Sequence, residues 1–205
     1  NGTVKALVIQ PNGQIVVGGS FNTLGGQTHY GVGRLNPNGT VDGSLNVMYY
    51  DEGYDEVLAL QLQSDGKILV GGKFYSYGDG EHYCLVRLNA NGTVDNSLSS
   101  AAYYGISAFA LQADGGIMVG GEFNWLASVI WYDWTTRSYL GRFSSAGLLD
   151  QSFNPSPNSY VDALAVQADG RILVGGNFTT LAGQTRSRIG RLNSDGSLDV
   201  GFNPG

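Results

Sequence analysis

Val161 to Pro204 reads VDALAVQADGRILVGGNFTTLAGQTRSRIGRLNSDGSLDVGFNP, and this stretch decides the fold because the chain writes it four times. Its frame is a strand-like run ending in Gln, a Gly-containing turn and I-x-V-G-G-x-F. A loop follows, then close variants of R-L-N and D-x-S-L/F. The copies superpose on Gln10, Gln63, Gln112 and Gln167, and on the pairs Gly18-Gly19, Gly71-Gly72, Gly120-Gly121 and Gly175-Gly176. A period of about 50 residues makes each copy one supersecondary unit, which buries its apolar faces only by stacking on its neighbours.

Each unit opens with a short strand: Val4–Gln10, Val57–Gln63, Ile106–Gln112 and Val161–Gln167. Large residues alternate with Ala6, Ala59, Ala108 and Ala163, so both faces of this strand are apolar and a neighbour can approach closely. Asn12-Gly13, Asp65-Gly66, Asp114-Gly115 and Asp169-Gly170 then supply the positive φ of tight hairpins, and strand two returns antiparallel. Glycine pairs inside strand two signal a bulge or a close backbone approach. No helical pattern follows them, so they are not a phosphate loop. Strand three ends at Arg34, Arg87, Arg142 or Arg191, and a short fourth strand carries the D-x-S-L/F.

Four antiparallel strands per unit with no helical periodicity predict an all-β chain, a β-propeller of four four-stranded blades that is either four-bladed or part of a larger propeller. The blades fall near 1–50, 51–103, 104–157 and 158–205, as one repeat domain. Closure as a four-bladed disc, as half of an eight-bladed homodimer, or within further repeats of a longer parent chain stays open. The first residue already sits at a repeat boundary, which is what a segment of a longer chain would show.

The frame resembles the bacterial delta-60 repeat family, whose hallmark runs roughly V-x-A-L-x-x-Q-x-D-G-K-I-L-V-G-G-x-F, then R-L-N-x-D-G-x-x-D-x-S-F. Val161–Pro204 matches it almost throughout, and the resemblance covers nearly the whole chain. It implies a propeller of a secreted or surface-attached bacterial protein. It implies no catalytic residue.

Composition excludes several functions. A formal charge of −6 and only 11 Lys and Arg, with no basic run, disfavour nucleic acid. No 18-residue apolar run supports membrane insertion by a helix. The single cysteine, Cys84, rules out an internal disulfide and reads as a small buried hydrophobe. Each hairpin tip offers one Asp or Asn, against about six to eight oxygens around calcium. Asp51, Glu52, Asp55 and Glu56 read as a solvated acidic loop, so neither metal nor cofactor is expected. Asn1, Asn38, Asn91 and Asn177 open N-x-T sequons, which are glycan acceptors only in a eukaryotic secretory source.

Each repeat Arg lies eight residues before an Asp (Asp42, Asp95, Asp150, Asp199), which predicts one ion pair per blade or an Asx-type cap from the Asp. Function is sought where the repeats differ. Between the Phe of strand two and this Arg, three repeats have 12 residues and the third has 18, Asn124–Gly141. That insertion holds Trp125, Trp131 and Trp134, with Tyr132. A second insertion, Asn46–Glu56, adds Tyr49, Tyr50 and Tyr54. Propeller topology puts both on one face, together with the residue five before each Arg: His29, His82, Arg137 and Arg186. Loops on rigid scaffolds carry binding functions. The expected partner is a protein or, alternatively, an extracellular glycan, unless the tryptophans fold back to plug the scaffold. A hydrolase is the third reading, though neither a Ser-His-Asp set nor an unrepeated carboxylate pair stands out.

Overall fold

The computed structural model describes residues 1–45, 56–76, 82–128 and 133–204, with the backbone alone for residues 75, 76 and 82. The first unit contains β1 (Thr3–Ile9), β2 (Ile15–Ser20), the small hairpin β3 (Thr23–Leu24) and β4 (Gln27–Thr28), then β5 (Val32–Leu35) and β6 (Val41–Asp42). The second has β7 (Glu56–Leu62), β8 (Ile68–Ser76) and β9 (His82–Leu88). Next come β10 (Ala101–Tyr103), β11 (Ile106–Leu111), β12 (Ile117–Gly121), β13 (Trp125–Ala127), β14 (Thr135–Thr136) and β15 (Leu140–Phe143). The fourth unit holds β16 (Val161–Val166), β17 (Ile172–Gly176), β18 (Thr180–Leu181), β19 (Gln184–Thr185) and β20 (Ile189–Leu192). No helix occurs among the described residues.

The main sheets are antiparallel and share one order: β1-β2-β5-β6, β7-β8-β9, β11-β12-β15 and β16-β17-β20. The fourth strand is a two-residue pairing in the first unit and a single bridge in the others, Leu88 to Val94, Phe143 to Leu149 and Leu192 to Leu198. It stops there because the Asp that follows turns the chain out of the sheet. Asp42, Asp95, Asp150 and Asp199 each accept the backbone N–H two residues on, at 2.9–3.0 Å.

Register explains the glycine pairs. Strand one bulges between Val4 and Ala6, and at the equivalent place in every unit. The bulge swings its backbone over the second glycine. A methyl on Gly19, Gly72, Gly121 or Gly176 would stand about 2 Å from a carbonyl oxygen at the start of strand one or of the residue just before it. The first glycine serves the neighbouring unit. A methyl on Gly18 would strike Val57, on Gly71 Phe109 and Ile106, and on Gly120 Val161 and Leu164. The second, third and fourth units thus each insert two strand-one side chains into a notch on the unit before.

Three apolar clusters fill the three junctions. Val16, Val32, Leu45, Val57 and Ile68 seal the first, and Leu69, Leu85, Leu98, Ile106 and Phe109 the second. Met118, Leu140, Phe153, Val161 and Ile172 belong to the third. At the ends the pattern stops. Val4 and Leu7, the counterparts of Val57 and Leu60, are 52% and 61% exposed, and a methyl on Gly175 would meet only its own unit. The four units stack in chain order, strand one of each against strand one of the next.

Candidate interaction site

The third unit departs from the others at its hairpin. In the first and fourth units β3–β4 and β18–β19 fold back over strand three, with Leu24 set against Gly33 and Leu181 against Gly190. Leu126 sits against Gly141 in the same way. Because leucine fills the underside, the preceding position faces outward, and there Trp125 replaces Thr23 and Thr180. Trp125 is 41% exposed. It is no plug.

The hairpin β13–β14 also gains a partner. The link from the second unit forms β10, which pairs antiparallel with β13 and sets Ala101 opposite Ala127, Ala102 opposite Leu126 and Tyr103 opposite Trp125. Directly opposed aromatic residues are strong cross-strand pairs. Tyr103 packs edge-on to Trp125 at 5.7 Å between ring centroids, to Tyr104 at 4.6 Å and to Trp134 at 6.3 Å. Trp134 reaches Tyr83 of the second unit at 6.4 Å. Such edge-to-face contacts are worth roughly 0.5–1.5 kcal/mol each beyond burial. Tyr103 and Tyr104 remain 45% and 58% exposed, so five rings from three segments make one aromatic surface across the second junction. The third-unit loop and the link from the second unit share a face here, while residues 46–55 of the other insertion lie outside the described residues.

The sequence singled out Trp125 and Trp134 but missed Tyr83, Tyr103 and Tyr104. The Tyr103-Tyr104 pair was a signal available in an otherwise ordinary link. Trp131, Tyr132, Tyr49, Tyr50 and Tyr54 lie outside the described residues, as does the side chain of His82.

His29 and Arg137 need correcting as candidate contact residues, for both are buried, as is Arg186. The Arg137 guanidinium donates to the carbonyls of Thr136 and Gln151 at 2.8 Å. That of Arg186 donates to the carbonyls of Thr185, Val200 and Phe202. These side chains run inward, tying the hairpin to the carbonyls that the chain exposes on leaving the sheet. Cys84 is buried as expected.

The repeated Arg–Asp pair does more than expected. Each Asp takes both predicted roles, one oxygen on the turn N–H and the other on Arg Nε, at 2.8 Å for Asp42, 2.7 Å for Asp95, 2.8 Å for Asp150 and 2.9 Å for Asp199. The backbone N–H of Ser44 leads in holding Asp42 at a pKa of about 2, below its ordinary 3.8. At Asp150 desolvation pushes upward, yet bonds from Ser152 and Arg142 prevail and hold it at about 2. A depressed carboxylate stabilises the fold above its unfolded value, and that contribution is lost as the pH falls from 3.8 towards 2.

In the first three units the guanidinium also reaches the next unit. Arg34 donates to the carbonyls of Ala90 and Asn91, both at 2.9 Å, Arg87 to that of Ser145 at 2.9 Å and Arg142 to that of Ser194. Sequence reasoning missed this clasp, because a backbone carbonyl has no signature in the residue that carries it. Among the described residues no group of three or more His, Cys, Asp and Glu is gathered as for a metal ion. No helix there is long and apolar enough to cross a membrane.

A family profile described as a β-propeller domain of unknown function (DUF5122) matches the chain over residues 10–45, 63–98, 112–153 and 167–202. No curated protein matches it. Among solved structures the chain is similar to a streptogramin B lyase, with 13% identity and a TM-score of 0.57 over 97% of this chain and 54% of that one. It is also similar to the extracellular domain of a hybrid two-component system, BT4673 of B. thetaiotaomicron, with 15% identity and a TM-score of 0.54 over 88% of this chain and 21% of that one. The chain therefore spans about half of the first and a fifth of the second, and at these identities the likeness shows the fold alone. Each family match begins at the Gln that anchors one of the four repeats and runs through its D-x-S-L/F end, so the chain belongs to the DUF5122 β-propeller family.

Proposed function

We propose that this chain is a non-enzymatic interaction module, displayed outside the cell, which binds a protein partner through the aromatic surface of Tyr83, Tyr103, Tyr104, Trp125 and Trp134. The observation that carries this reading is the exposure of Trp125, Tyr103 and Tyr104 on a sheet that, among the described residues, only the third unit builds. Such a patch costs solubility unless it is used, and Trp and Tyr on a rigid frame are the usual anchors of binding energy. Leu126 fills the space beneath, so the outward rings are not needed as core. The extracellular domain among the structural neighbours supports the location. A glycan is the second reading, since exposed Tyr and Trp ring faces also suit sugar rings.

Replacing Trp125 with Thr, the residue of the first and fourth units, together with Tyr104→Ser tests the proposal. The expected result is a melting temperature lowered by no more than several degrees, for the two edge contacts to Tyr103, and a binding loss of roughly 2 kcal/mol or more. Binding is to be read by titration against proteins of the native extracellular fraction and on a glycan array. A large stability loss with unaltered binding would overturn the site, and turnover of generic esterase, glycosidase or lyase substrates would overturn the non-enzymatic reading.

A further inference from the structure

Four positions gather at the turn end of every unit: the Asp or Asn of the first turn, the residue two after it, and the repeat Arg and Asp. They are Asn12, Gln14, Arg34 and Asp42 in the first unit, Asp65, Lys67, Arg87 and Asp95 in the second, and Asp169, Arg171, Arg191 and Asp199 in the fourth. The second member of each set covers the repeat Asp. Gln14 Nε2 donates to Asp42 and Lys67 Nζ to Asp95, both at 2.8 Å, and Arg171 Nε stands 3.6 Å from Asp199. In all three units the formal charges of the four positions cancel.

The third unit breaks this rule twice. Its set is Asp114, Gly116, Arg142 and Asp150, which leaves one negative charge over and no covering side chain on Asp150. Arg142 turns both Nε and Nη2 onto Asp150. Even so, the Asp150 side chain is 28% exposed, against 10–18% for Asp42, Asp95 and Asp199. A cleft of about 360 Å³ results, lined by Gln112, Asp114, Gly116, Arg142, Leu148 and Asp150. Ligand clefts begin at about 300 Å³. Its wall is the second departure, because Leu148, 62% exposed, stands where the other units have Thr40, Thr93 and Ser197. Asp195 of the next unit also draws on the Arg142 charge, where Asn91 and Ala146 stand at the first two junctions.

The geometry points to this cleft as a site for a primary alkylammonium, either a small free amine or the lysine side chain of a protein. The ammonium sits between Asp114 and Asp150, in the place that Lys67 Nζ takes on Asp95, and the methylene stem runs along Leu148. Such a group supplies both things the third unit lacks, one positive charge and one extended side chain. A divalent metal suits the site less well, since two carboxylates fall short of its oxygen shell. The cleft lies where Ile117 faces Phe143, at the end of β12 and β15 away from the Trp125 hairpin, so it is separate from the aromatic surface.

Titration of the intact chain with n-butylammonium, n-butanol and a capped tripeptide with lysine at its centre tests this, read by backbone amide shifts in NMR. Both ammonium probes should shift Gly116, Leu149 and Ser152 saturably, with the millimolar affinity of a partly exposed ion pair, and butanol should not. Tighter binding of the tripeptide assigns the site to a protein lysine, and equal or tighter binding of butylammonium to a free amine. Gly116→Lys restores the covering group from within. Gly116 is not left-handed, and a side chain there meets first the movable oxygens of Gln112 and Asp114. This variant should melt higher and bind both probes roughly tenfold more weakly or worse. Asp114→Asn copies Asn12, which keeps the same turn bond, and should weaken binding roughly three- to tenfold without unfolding the chain. Ammonium shifts no larger than those of butanol, or undiminished binding by either variant, would overturn the proposal.

Discussion

Val57 and Val4 stand at the same place in two copies of one repeat, yet the first is sealed and the second is 52% exposed. The junction between units and the face at the end of the stack differ in nothing local: strand, bulge, glycine notch, Arg–Asp pair and turn are the same. The difference lies in the neighbour. One repeat encodes half of a contact on each side, so its stability is shared with the units beside it, as expected for quasi-one-dimensional stacks. The same residue type should therefore be worth much more inside the stack than at its end.

The largest contrast concerns the arginines. Arg34→Met removes a buried guanidinium, strands the Asn91 carbonyl and leaves Asp42 without its partner, and should cost about 3–5 kcal/mol in chemical denaturation. Arg191→Met removes a more exposed guanidinium whose bonds stay within its own unit, and should cost about 1 kcal/mol. Equal losses would break the comparison. Next come the glycines. Gly120→Ala places a methyl 2.5 Å from Val161 Cγ1 and should lower stability by roughly 1–3 kcal/mol, whereas Gly175→Ala, whose methyl clears its own unit at 3.6 Å, should be tolerated.

The smallest effect is one that ignores stacking. Gly31, Cys84, Tyr139 and Arg188 lie three residues before each repeat Arg, and all have left-handed backbones, with φ of 69°, 60°, 66° and 66°. Arg188 is exposed and packs little, so Arg188→Gly should raise stability by about 1 kcal/mol, read as a higher midpoint in urea. A neutral or negative outcome would show that this position depends on its surroundings after all, and would narrow the contrast between junction and end.

Much of this was legible in the chain because it is local and repeated. The Asp-Gly turns, the alternation of strand one and the eight-residue spacing from Arg to Asp are short-range patterns, and four copies remove most accidents. The left-handed position was not legible, since Cys84, Tyr139 and Arg188 are residues that disfavour it. Nor was the aromatic surface in full. Trp125 and Trp134 were conspicuous as departures from the repeat, but Tyr83 and Tyr103 join them only because a link pairs with a hairpin across a junction. His29 and Arg137 misled for a related reason: their loop position suggested a rim, while the carbonyls that draw Arg137 inward carry no mark in the sequence.

By itself the sequence determined the unit: an antiparallel sheet of period about 50 residues whose apolar faces and glycine notches require neighbours. The order in which units clasp and the five-ring surface were decided only in three dimensions. The physical reason is that the first and fourth repeats are as complete in sequence as the second and third. What makes one valine core and another surface is the placement of a second sheet, and hydrophobic burial depends on that placement and not on the residue alone.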